Sequence, residues 1–142
     1  MIGMEILKPL AVLAGWSMVM WLWMYATRLP AMTKAKIDTK NLTGGTGKDL
    51  ENILPANVQW IAHNYNHLHE APTVFYAVAL ALALIGQGDG LTAQLGWAYV
   101  GLRIAHSIVQ ATWNRVMVRF LLFALSSFAL MALTLHLILA VF

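Results

Sequence analysis

Gln59, His63, Asn66, His67 and Glu70 recur at helical spacing, and at ~100° per residue they fall within an arc of about 100° on one helix. A carboxylate, two imidazoles and two amides on one stripe can hold a polar ligand, move protons or ligate a metal. Farther along, Arg103, His106 and Gln110 follow one another at i, i+3 and i+7, so they also share a helix face, with Asn114 one turn beyond. For a metal, His63, His67 and Glu70 would supply three ligands and His106 a fourth. No HExxH pattern accompanies them, and the sequence reading assigns no metal site. His69 points off the stripe, and His136, alone in a late apolar run, reads as a satisfied core residue.

What surrounds these residues decides how they are read. The chain has 142 residues, room for a single domain spanning 1–142. Only 11 % are charged, against about 25 % in soluble domains, and 60 % are apolar. That balance points to a membrane protein. With no cysteine, disulfides, thiolate metal sites and a cysteine nucleophile are excluded. The net charge of +3 is small and its basic residues are not interleaved with aromatics, so it reads as membrane topology and not as a nucleic-acid footprint. The N-terminal apolar run is too long for a signal-peptide core and is taken as retained.

Four helices are expected, at approximately 6–28, 56–86, 91–112 and 115–141. Pro9 to Thr27 is 19 residues without a formal charge, close to the ~20 that span a bilayer core. Trp21, Trp23 and Tyr25 gather at its end, where an aromatic belt belongs. Pro30 to Leu54 reads as a polar connection. Its Gly44-Gly45-Thr46-Gly47-Lys48 is not a phosphate loop, since Leu42 occupies the first glycine position and Asp49 follows the lysine. The second helix is long, about 45 Å, and Pro72 should kink it or divide it into halves. The segment Gly86-Gln87-Gly88-Asp89-Gly90 makes a tight turn. Arg28, Lys34, Lys36, Lys40, Lys48, Arg115 and Arg119 flank the first and third connections, against Lys8 alone on the other side. That asymmetry puts both termini outside the cytoplasm.

Glu70 and Arg103 then fall at matched depth, about 15 and 14 Å from the cytoplasmic side, on adjacent antiparallel helices. Opposite charges so placed are the expected solution to burying either one. They could serve only as helix glue. The convergence of further polar side chains favours a wet cavity for a polar or anionic ligand. Gly101 and Ala105 flank Arg103 at small-xxx-small spacing, a weak signal of close helix approach.

The segments Asn66-His67-Leu68-His69-Glu70-Ala71-Pro72-Thr73-Val74-Phe75 and Gly101-Leu102-Arg103-Ile104-Ala105-His106-Ser107 resemble the MAPEG family, the membrane-associated proteins in eicosanoid and glutathione metabolism, in a bacterial-type member. The resemblance covers essentially the whole chain. It implies an all-α integral membrane protein, a four-transmembrane-helix bundle assembled as a homotrimer in the bacterial inner membrane. It implies glutathione as cofactor, held between subunits by Arg28, His63, Asn66, His67, Glu70, Arg103 and Gln110, and a lipophilic electrophile or hydroperoxide entering from the bilayer. Arg103, His106, Arg115 and Arg119 are the candidates for activating the thiol. The family's second-helix Arg-x-x-x-Asn-x-x-Glu reads His63, His67 and Glu70 here, and its third-helix Arg-x-x-Tyr-x-x-Gly-Tyr reads Arg103, His106, Val109 and Gln110. With both tyrosines replaced, the alternative is a non-catalytic lipid- or fatty-acid-binding scaffold of the same fold.

Overall fold

The computed structural model describes residues 2–37, 44, 47–50 and 53–142. Every regular element among them is helical: α1 (Leu7–Lys34), a short 3₁₀ turn (Gly47–Leu50), α2 (Ala56–His67), α3 (Ala71–Leu84), α4 (Leu91–Ala111) and α5 (Val116–Val141). Three segments are long and apolar enough to cross a membrane: Leu7–Lys34, Ala56–Leu84 and Val116–Val141. The outward faces support that reading. Leu22, Leu84, Val116, Met117, Phe120 and Leu139 are all exposed, a distribution that lipid tolerates and water does not. The 21-residue α4 falls outside this set because it carries the polar Gln94, Arg103, His106 and Gln110.

Two elements differ from the sequence expectation. The first helix does not stop near residue 28 but continues through Pro30 to Lys34. Proline removes one donor, and a helix end near the interface tolerates that loss. The second rod takes the divided form of the two expected, but the division falls before Pro72 and not at it. It breaks over residues 68–70, and α3 restarts with Glu70 as its N-cap residue and Pro72 in the first turn. Pro72 cannot donate to Leu68, so the chain tightens into 3₁₀-type bonds, His69 N to Asn66 O and Glu70 N to His67 O. Proline is well placed where the next helix begins. Gly45 and Thr46 of the glycine-rich stretch lie outside the described residues.

The core lies where α1, α2, α3 and α4 meet, with Leu13, Met20, Ile61, Leu68, Phe75, Leu82, Tyr99 and Val100 buried together. Phe75 stacks on Tyr99, ring centroids 4.6 Å apart. At the other end the N-terminal segment is fixed to the α3–α4 turn by backbone bonds, Gly3 N to Ala83 O and Ile6 N to Gly88 O. The backbones of Gly3 and Gly88 come so close that a Cβ on either would overlap the other segment. His136 is not a core residue. It is half-buried, and its Nε2 lies 3.3 Å from Gln87 Oε1 in that same turn.

Candidate functional site

The α2–α4 interface sets the register of the site. Asn64 Nδ2 donates to Ser107 Oγ at 2.5 Å, and Trp16 Nε1 of α1 donates to the same oxygen at 2.9 Å. One turn deeper, Arg103 Nη2 donates to His67 Nδ1 at 2.7 Å. Arginine has no acceptor capacity, so His67 Nδ1 must present its lone pair. The partner of buried Arg103 is therefore His67, not Glu70. Arg103 is 1 % exposed, whereas the Glu70 side chain is 69 % exposed and turns outward from the helix break. Glu70 Oε2 approaches His67 Nε2 at 3.8 Å, which places the imidazole between acid and base.

His106 stacks on His67, centroids 5.0 Å apart and planes 20° from parallel. The Phe123 ring closes over both imidazoles, 5.8 Å from His67 and 6.4 Å from His106. Arg119 is positioned by the α4–α5 turn. Asn114 takes a left-handed conformation there (φ 53°), which asparagine tolerates, and its Oδ1 accepts from Arg119 Nη1 at 2.5 Å. An open cavity of about 270 Å³ is lined by His67, His106, Arg119, Val116, Phe120 and Phe123.

The structure thus brings together three of the residues singled out from sequence, His67, His106 and Arg119. Arg103 lies behind them, one hydrogen bond away. Gln110 is buried on the same α4 face. His63 and Asn66 are exposed on the outer side of α2, and Arg28 is half-buried at the far end of α1. Arg115 is exposed and lies over the Trp113 ring at 5.0 Å, away from the cavity. His69, in the break, bonds back to the last turns of α2, Nδ1 to Tyr65 O at 2.9 Å. Among the described residues, no three of His, Asp and Glu form a cluster that could hold a metal ion. Sequence reasoning missed Tyr99, which precedes Arg103 by four residues and so belongs to its face. It also missed the Asn64–Ser107–Trp16 bonds and the cavity's apolar wall, since Val116, Phe120 and Phe123 are unmarked within an apolar helix.

A cation and two imidazoles beside apolar side chains make a cavity that can hold an anionic or polar group next to an apolar one. The sequence model of the MAPEG family matches residues 6–139. The chain belongs to the MAPEG family. It is accordingly a helical membrane protein of a glutathione-associated family. No curated protein and no solved structure matches it.

Proposed function

We propose that this MAPEG protein is a membrane-bound glutathione-dependent transferase or peroxidase acting on lipophilic electrophiles or lipid hydroperoxides. The observation that carries the reading is the cavity itself, lined by His67 of α2, His106 of α4 and, from α5, Arg119 together with Val116, Phe120 and Phe123. The guanidinium of Arg119 stabilises a thiolate, the nucleophilic form of the sulfur. An ordinary thiol has a pKa near ~8.5, and each unit of depression stabilises thiolate by about 1.4 kcal/mol. The phenylalanines shield the acceptor from water. Arg103 acts through His67, fixing that ring against the cavity.

At about 270 Å³ the cavity is smaller than the ~300–1,000 Å³ usual for drug-sized ligands, so one protomer accommodates only the thiol end of glutathione. The remainder belongs against the exposed face that carries His63 and Asn66 of α2 and Glu70 at the head of α3, which a neighbouring subunit would cover. Glu70 would accept from the ligand's ammonium group, and Arg28 of an adjacent copy would meet a carboxylate. The family resemblance makes that assembly a homotrimer in the bacterial inner membrane, and the lysine and arginine asymmetry of the connections puts both termini outside the cytoplasm. Conjugation of glutathione to 1-chloro-2,4-dinitrobenzene by the detergent-purified protein tests the reading, and a rate no higher than background would contradict it.

A second reading is favoured by an apolar groove of about 350 Å³ between α3 and α5, lined by Val74, Leu130, Met131, Thr134, Leu135 and Ile138. A non-catalytic scaffold would hold an acyl chain there. Lipid retained through purification together with no conjugation would favour it.

A further inference from the structure

His106 separates two environments. Its Nδ1 is sealed in the protein without a hydrogen-bond partner, while its Nε2, not sealed, opens on the cavity. Behind the ring, the seam between α2 and α4 holds further unpartnered atoms on side chains more than nine-tenths buried. On the side toward the start of α2 and the end of α4 these are Asn64 Oδ1, Gln110 Oε1 and Gln59 Oε1, all acceptors. On the deeper side they are Arg103 Nε, Arg103 Nη1 and the Tyr99 hydroxyl, all able to donate. The Asn64–Ser107 and Arg103–His67 bonds fix the two helices antiparallel, so the order along the seam follows from sequence position.

Buried polar groups are almost always satisfied, by protein or by ordered water. Internal waters make about three hydrogen bonds each, so these seven atoms, His106 Nδ1 included, call for two or three waters. A single carboxylate cannot serve Arg103, because Nε and Nη1 lie on opposite edges of the guanidinium and the Nη2 between them is taken by His67. The polarity of the seam is directional. Amide oxygens favour a passing positive charge, as carbonyl-lined filters do, while a fixed arginine repels it.

We propose that His106 is a two-sided proton relay that carries the thiol proton from the cavity into a hydrated seam ending at Gln110 and Gln59. The inference rests on the glutathione reading above. The S–H bond breaks and its proton is taken by Nε2. Nδ1 gives its own proton to a seam water, and that proton leaves past the amide oxygens to bulk solvent. The sum is thiol to thiolate plus one released proton, with no electron transferred. The ring is left as the Nε2–H tautomer, and it returns to the starting one when Nε2 gives that proton to the product or to water in the cavity and Nδ1 takes one back from the seam. The deeper half of the seam, with the Arg103 charge, keeps the proton from moving toward the membrane centre.

The test follows thiolate absorbance and proton release together, by stopped flow with a pH dye in weak buffer, after mixing glutathione with the wild type, Gln110→Leu and His106→Phe. Calorimetry gives the affinity of each. In the wild type the two signals rise together. Gln110→Leu, which closes the seam behind the ring, slows both about tenfold, and His106→Phe, which preserves the stack, slows them about 100-fold. Free imidazole restores the His106→Phe protein, which a merely structural role for the ring would not allow. Wild-type rates in Gln110→Leu with its affinity intact would overturn the relay and leave the glutathione reading standing. Failure of the wild type to bind glutathione would overturn the reading and the relay with it.

Discussion

At the scale of single residues, the two arginines at the start of α5 are alike in sequence and unlike in place. Arg119 is held by Asn114 and faces the cavity, whereas Arg115 lies over Trp113 in the open. Removing a preorganised donor at a developing charge costs about 100-fold in rate or more, so Arg119→Leu should lower kcat/KM for the dinitrobenzene acceptor by about that factor. Arg115→Leu should leave it near the wild-type value. Equal losses would mean the cavity has been misassigned. Ser107 is a different kind of residue. It is fully buried and accepts from both Trp16 and Asn64, so Ser107→Ala strands two donors in the core. The expected loss of stability is about 2 kcal/mol, readable by thermal unfolding in detergent. The Arg103–His67 bond was not legible from the spacing of charges alone. Depth counted along two helices matched Arg103 to Glu70, but the register places His67 opposite Arg103 and leaves Glu70 one turn away at the break.

At the scale of elements, the apolar runs and the punctuation between them carried most of the signal. Gly86 to Gly90 marked the α3–α4 turn. Proline was the harder residue to read. Pro30 sits inside α1 without ending it, while Pro72 follows a break that begins at Leu68, because tertiary contacts decide whether a lost donor is tolerated. Glycines likewise differ by neighbourhood. Gly3→Ala or Gly88→Ala should push the N-terminal segment off the α3–α4 turn and cost about 2 kcal/mol, the range for overpacking a tight contact. Limited proteolysis of the first residues would report the detachment. Gly101 is exposed on α4 with nothing within 4 Å of a Cβ built on it. Within one protomer Gly101→Ala should therefore be neutral or add up to about 1 kcal/mol of helix propensity. If it instead weakens assembly, that face of α4 is a subunit contact.

At the scale of the whole molecule, composition alone pointed to a membrane protein, and the helices bear this out with apolar side chains on their outer faces. The polar face of α2 is the exception. His63 and Asn66 of α2, with Glu70 at the head of α3, are exposed polar side chains, which lipid would penalise within a bilayer. A trimer that covers this face should appear as a single mass in native mass spectrometry from mild detergent, and Glu70→Leu should lower glutathione affinity more than it lowers trimer stability. A purely monomeric spectrum would contradict the shared site. Subunit number left no mark in hydrophobic periodicity, because helices facing lipid and helices facing another copy are equally apolar. The most direct measurement is the position of the glutathione sulfur in an experimental structure of the liganded protein. The sulfur is expected within hydrogen-bonding reach of the Arg119 guanidinium and His106 Nε2, against Phe123. A sulfur bound elsewhere, with that cavity filled by lipid, would contradict it.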